Sequence, residues 1–343
     1  MARLADFRSD TMTTPNAAMR QAMFEAPVGD DVWGEDPTVR SLEEQGAELL
    51  GKPAAVFVPS GTMANQIAIH VHCRPGDELI CEERSHVFYY EGGAIARFSG
   101  TQVRTVAAAN GFPSPEQVQS AVRVDDPHYP RSRLLVLENT HNMAGGRVAS
   151  QVQIQQLADT ARAAGMLVHV DGARLLNAAV ALNCQASDLV APADSTTLCL
   201  SKGLGAPVGS LLAGQSDFIH EARRVRKAFG GGMRQSGVLA AAGLIALRDG
   251  PALLAIDHQR ARRLATGLAE LSWATVDVDA TESNIVMLEP GLDAVSPLLS
   301  LLEQHDVHAS QASASRIRLV LHRDLDDECV ERCLAVCRTF SLS

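Results

Sequence analysis

Lysine is nearly absent from this chain of 343 residues: Lys52, Lys202 and Lys227 occur, and arginine supplies the rest of the 30 basic side chains. Chemistry that needs an amine nucleophile therefore has only these side-chain candidates. Positive charge is outweighed, 30 Lys and Arg against 40 Asp and Glu for a formal charge of −10, which argues against a nucleic-acid surface as the main business. No CxxC pair occurs among the seven cysteines, at 73, 81, 184, 199, 329, 333 and 337. An odd, scattered set argues against a disulfide framework or a ribbon-type zinc site and suits cytosolic thiols. Cys329, Cys333 and Cys337 recur at helical spacing, where packing as small apolar side chains outweighs metal binding, so no metal is expected. No apolar run approaches a membrane span, and the opening MARLADFRSDTMTTP lacks the apolar core of a signal peptide. A cytoplasmic chain with no membrane partner is the expectation. Internal repeats and low-complexity linkers are also missing.

What is there suffices for a packed interior: 46% of residues are hydrophobic and 20% charged, a folded globule rather than a disordered chain. At roughly 150 residues per domain the length suits two domains, or one large unit and an appendage. From residue 54 onward the runs AAVFV, ELICE, QVRTVA, RLLVLEN, MLVHV, STTLCL and GSLLAG alternate with helical patterns. Runs apolar on both faces and separated by helices imply a mostly parallel sheet covered on both sides, a doubly wound α/β core. The helices carry their own signals, Ser114 before Pro115 in SPEQVQSAV and Gly165 closing SQVQIQQLADTARAAG. Past Pro251 come a long Arg-rich helix, SNIVML, a helix near 293–304, IRLVL and a last helix. The expected division is residues 1–250 for an arm and large domain, and 251–343 for a smaller α+β domain. Residues 1 to about 40 read as a polar arm, which either wraps over another surface or is merely solvated.

Three strand ends carry candidate chemistry. Ser60-Gly61-Thr62 follows AVFV and opens a helix, a turn whose N–H groups suit a phosphate, although plain capping is the more ordinary explanation when the motif stands alone. Asp171, after MLVHV, points into the crevice where doubly wound folds bind ligands, or caps the next helix; Arg174 beside it suits a substrate carboxylate or a surface acid. Lys202 lies between the apolar STTLCL and the glycine-rich GLGAPVG, surroundings that favour a nucleophilic amine. GLGAPVG is no dinucleotide fingerprint, because its glycine spacing is wrong and it follows STTLCL rather than opening the first βαβ unit. His86 and His128 are further candidates; His70 and His72 read as structural. A phosphate turn, a crevice carboxylate and a strand-end lysine describe together the grip on pyridoxal 5′-phosphate: imine to the lysine, phosphate at the helix start, ring nitrogen on the Asp.

On the blocks RSDTMTTP, VGDDVWGEDPTV, PSGTMAN, ERSH, LENTHN, HVDGARLLNA, LSKGLGAPVGS, GGGMRQ and IRLVLH, the sequence resembles the low-specificity L-threonine aldolases of the fold-type I pyridoxal-phosphate enzymes, over essentially its whole length. The resemblance implies the aspartate-aminotransferase-like fold with a seven-stranded, mostly parallel sheet. It implies that Lys202 carries the cofactor, Asp171 pairs with the pyridine nitrogen and Gly61 and Thr62 bind the phosphate. Lys227 and Arg234 would reach in from a neighbouring subunit. Ser9, Arg174 and Arg318 match carboxylate-holding positions, with Arg174 also near the cofactor and Arg318 preferred to Arg316. His86 matches the histidine stacked on the ring and His128 one near the substrate hydroxyl. The implied reaction is reversible retro-aldol cleavage of L-threonine and related β-hydroxy-α-amino acids to glycine and an aldehyde, by a homotetramer built as a dimer of dimers. His86, His128 and a water remain open as the base. An aminotransferase, a nicotinamide-dependent oxidoreductase and a non-catalytic binding protein are the competing readings; the second lacks a glycine fingerprint after its first strand, and the third has no need of Lys202.

Overall fold

The computed structural model describes residues 4–341, so residues 1–3 of the arm lie outside the described residues. Strand β1 (Ala5–Asp6) lies in the arm. The strands β2 (Ala54–Val58), β3 (Glu78–Glu82), β4 (Gln102–Val106), β5 (Ser132–Glu138), β6 (Leu167–Asp171), β7 (Ser195–Cys199) and β8 (Ser210–Gly214) form one sheet in the order β2-β8-β7-β6-β5-β3-β4. All are parallel except β8, which runs antiparallel to β2 and β7. Each of the seven apolar runs is thus a strand, and β3, β7 and β8 are buried at every position, as helices on both faces require. Helix Pro115–Ala121 starts from a Ser114 capping box with proline in its first turn, and helix Gln151–Ala163 from a Ser150 box, with Gly165 beyond it at φ 71°.

The C-terminal part packs β9 (Ile285–Leu288), β11 (Ser310–Gln311) and β12 (Ile317–Val320) in the order β11-β12-β9 against helices Val295–Gln304 and Asp327–Thr339. The arm does not stand away in solvent. Its β1 pairs with β10 (Val307–His308), and Ala5 and Phe7 are buried in the apolar core of this C-terminal part. Further on, the Thr13 hydroxyl donates to the Lys202 carbonyl (2.8 Å) and Asp36 accepts the Gly237 N–H (2.8 Å).

One element departs from the expectation. The helix expected after Pro251 starts at Gly237 and runs to Ala269 straight through that proline. Proline forfeits one backbone bond and crowds the preceding residue's Cβ, but that residue is Gly250, which has none and lies against Leu204. This helix is also long and apolar enough to cross a bilayer by length and composition, contrary to the reading that no run approaches a span. Its apolar face is buried against helices Ala17–Glu25, Pro37–Leu49, Leu175–Leu182 and Asp327–Thr339.

Candidate active site

A parallel sheet delivers its strand ends to one edge, and the functional side chains are gathered there. β2 ends just before Ser60, β3 before His86, β5 at Glu138 before Asn142, β6 at Asp171 and β7 before Lys202. A cavity of about 440 Å³ opens at this edge, lined among others by Ser9, His86, Asn142, Arg174, Lys202 and Arg318. Beyond the end of β2, Ser60 caps helix Gly61–His72 by accepting the Met63 N–H (3.2 Å). The first N–H groups of a helix have no intrahelical partner and sit at its positive end. A Cβ on Gly61 would stand 2.6 Å from Cys199 Sγ, so only glycine lets this helix start approach the end of β7.

Asp171 is buried, and its oxygens accept from the Asn65 amide (2.8 Å), the Ala173 N–H (3.1 Å) and the Thr197 hydroxyl (3.3 Å). Burial pushes its carboxyl up, but the charges of His86 and Lys202 outweigh it and hold Asp171 below the usual carboxylate range. The Asn65 amide also donates to Glu91 (2.9 Å), while its oxygen faces His169 Nε2 (3.1 Å). Glu91 in turn meets His86 Nδ1 at 2.9 Å, which leaves Nε2 as that ring's other hydrogen-bonding atom. Burial opposes charge on His86, yet the bond to Glu91 and the charges of Asp171 and Glu91 raise its pKa above the ordinary value. His169 and His72, joined through the Ser195 hydroxyl (2.8 Å to each), are pushed down by burial to about 4 and about 3, so both stay neutral behind the site. One ligand atom each of His86, Glu91 and Asp171 lies within 4.8 Å of the others; the carboxylates among them already accept amide donors.

The two arginines at the cavity wall differ. Arg174 gives Nε and Nη2 to the buried Asp10, both at 2.7 Å. Burial would push Asp10 up, but Arg174, helped by Lys202 and Asn284, holds it well below its ordinary value. The pair is internally neutral. Among the described residues Arg318 has only uncharged hydrogen-bond partners, Asn142 Oδ1 (2.8 Å) and the Arg8 carbonyl (3.2 Å), and its buried Nε has none. Burial and the neighbouring Arg174 charge push its pKa down. An uncompensated guanidinium with an unused donor is the group here that an incoming carboxylate would satisfy. Arg316 instead pairs with Glu289 (2.6 Å).

These features fit pyridoxal phosphate. Gly61 keeps open a cradle at a helix start, the buried Asp171 is poised for a pyridine nitrogen, and Lys202 is near enough for its charge to act on Asp171, Asp10 and Cys199. Ser9 lies on the cavity wall and also accepts the Thr11 N–H (3.2 Å). His128, Lys227 and Arg234 are not brought to this cavity by their own chain. His128 is 87% exposed and paired with Asp126 (2.6 Å), and Arg234 bonds Asp30 (3.0 Å). Lys227 lines a separate cavity of about 800 Å³ with Trp33, Arg40, Glu43 and Arg223. Asp10, Asn65, Glu91, Glu138 and Asn142 were not foreseen as site residues. Four of them stand inside or beside the quoted blocks RSDTMTTP, PSGTMAN and LENTHN, which was the signal available.

The family model for beta-eliminating lyases matches residues 6–290. The chain is 44% identical to low-specificity L-threonine aldolase 1 of Arabidopsis thaliana, over 94% of this chain and 92% of that one. It is 42% identical to the low specificity L-threonine aldolase of Escherichia coli K12, over 98% and 99%. Its fold is similar to that of the Leishmania major threonine aldolase, with a TM-score of 0.84 at 20% identity, covering 97% of this chain and 98% of that one.

Proposed function

Because the chain belongs to the beta-eliminating lyase family, and within it to the low-specificity L-threonine aldolases, we propose that its cavity binds pyridoxal 5′-phosphate and carries out reversible retro-aldol cleavage of L-threonine, L-allo-threonine and other L-β-hydroxy-α-amino acids to glycine and an aldehyde. The bound cofactor supplies an electron sink for the pair released when the Cα–Cβ bond breaks. Lys202 supplies the amine that holds it, Asp171 pairs with its ring nitrogen, and the start of helix Gly61–His72, with Gly61 and Thr62, holds its phosphate. His86 covers the ring. Arg318, assisted by Ser9, binds the substrate carboxylate, while the Asp10–Arg174 pair shapes the wall without adding net charge. A substrate clamped at its carboxylate presents one bond at Cα in the reactive direction. His86 takes the β-hydroxyl proton: it lines the cavity, and Glu91 stabilises the charge it acquires.

The observation that carries this reading is that Lys202, His86 and Arg318 line one cavity, with the buried Asp171 close enough to feel the charges of Lys202 and His86. Incubating the purified protein and cofactor with L-threonine tests it. Acetaldehyde and glycine are the expected products, absent in Lys202→Ala, and transfer of the amino group to a keto acid instead would point to an aminotransferase. Lys227, Arg234 and His128 serve the site of a second copy in a homo-oligomer, a dimer of dimers. The exposed Trp33 (76%) and Phe24 (86%) support such contacts.

A further inference from the structure

The segment LENTHN closes β5, and the reaction as read above uses none of its acidic chemistry. Its Glu138 side chain is buried. One carboxylate oxygen, Oε2, accepts the backbone N–H of His86 at 2.7 Å, and the other, Oε1, accepts the backbone N–H of Asn142 at 2.8 Å. These two residues stand on different crossovers, one after β3 and one after β5. Asn142 then passes the constraint on, because its Oδ1 accepts from Arg318 Nη1 at 2.8 Å and lies 3.5 Å from Arg174 Nη1. Behind Glu138, His141 Nε2 lies 3.9 Å from Oε2 and 3.0 Å from Glu82, whose other oxygen accepts from Arg84 (3.1 Å). The Ala144 N–H donates to His141 Nδ1 (3.3 Å) and leaves that ring's proton on the carboxylate side.

We propose that Glu138 is a positioning residue that fixes the separation between His86 and the Asn142–Arg318 pair, so that a substrate held by its carboxylate has its β-hydroxyl at His86. The proposal rests on the reading of the site given above. The chemistry demands a carboxylate of this length. Both oxygens must accept, and an amide would set an N–H₂ donor against one of the two backbone donors. An aspartate would be one methylene too short to reach both crossovers.

The test uses the cofactor-loaded enzyme. Glu138→Gln should keep the visible absorbance of the bound cofactor, because Lys202, Asp171 and Gly61 are untouched. Its dissociation constant for glycine should rise on the order of tenfold, the scale of one lost buried hydrogen bond. Asn142→Ala should weaken glycine to a similar extent, and the double variant should weaken it less than twofold further, because both act through Arg318. Glu138→Gln should in addition lower kcat for L-threonine by more than Asn142→Ala does, since only the former also loosens His86. A purely structural role would lower the melting temperature while glycine affinity stayed put. Wild-type glycine affinity in loaded Glu138→Gln, or effects that multiply in the double variant, would overturn the proposal. Should Glu138→Gln not fold, Glu138→Asp keeps the charge beside His141 and must show the same loss, and unchanged glycine affinity in Asn142→Ala overturns the idea from the other end. If the wild-type protein binds no cofactor and forms no acetaldehyde, the site reading itself has failed, an outcome distinct from any of these.

Discussion

At the residue scale, the carboxylate behind His86 governs when that imidazole can accept a proton. Glu91 is buried and meets three donors, His86 Nδ1, the Asn65 amide (2.9 Å) and the Gln66 amide (2.6 Å). Burial pushes its own carboxyl up, although the bond to His86 opposes that rise, while on His86 the bond to Glu91 favours the proton. Cleavage through neutral His86 should therefore show an acid limb above the ordinary histidine value of about 6.5. Replacing Glu91 by Gln keeps a hydrogen-bonding partner but deletes the negative charge, and the limb in kcat/KM should move to lower pH. A profile that stays in place in Glu91→Gln would show that His86 is not the titrating base. Lys202 and Asp171 were legible in the sequence because one is scarce and both end apolar strands. Glu91 and Asn65 were not, since a helix-start Asn and a loop Glu carry no spacing that ties them to a strand end. The Asp10–Arg174 pair spans 164 positions and only the folded chain reveals it.

Among the elements, the helix start at Gly61 makes the sharpest demand. Adding one methyl there places it 2.6 Å from Cys199 Sγ, closer than the packed interior tolerates, so the helix must retreat from β7. Gly61→Ala should weaken cofactor affinity by about tenfold, a displacement costing on the order of 1–2 kcal/mol, as read by titrating the apoenzyme with cofactor. Cys199→Ala removes the clashing sulfur and should restore most of the loss in the double variant. No restoration would mean that alanine acts by another route. The seven sheet strands could be read from their apolar runs, because strands buried on both faces leave so plain a pattern. The helix Gly237–Ala269 could not be bounded in the same way: Pro251 is a strong local stop signal, and tertiary packing together with the missing Cβ of Gly250 overrides it.

For the molecule as a whole, the arm and the long helix link the largest apolar cluster to the C-terminal one, and the candidate site lies where the arm passes Lys202. The exposed Lys227 and Arg234 do not line their own chain's candidate cavity, so Arg234→Ala should weaken cofactor retention only if a second copy is present; unchanged affinity in a confirmed dimer would count against donation across the interface. The pH response of global stability follows from a different group. Asp257, on the long helix, is buried with neither carboxylate oxygen hydrogen-bonded. Burial pushes its pKa up to about 7, with Asp10 adding to the rise and Arg260 opposing it. In the unfolded chain it titrates near 3.8. Below that value both states are protonated and folding feels nothing. Between 3.8 and about 7 the unfolded chain ionises while the folded one keeps its proton, so this group lowers stability by about 1.4 kcal/mol per pH unit, and above about 7 the penalty levels off near 4 kcal/mol. Asp257→Asn removes the ionisation and should stabilise the protein by about 3 kcal/mol more at pH 8 than at pH 5. Denaturant melts of both proteins at the two pH values read this directly, and a gain equal at both would mean that Asp257 finds a partner for its charge in the folded state.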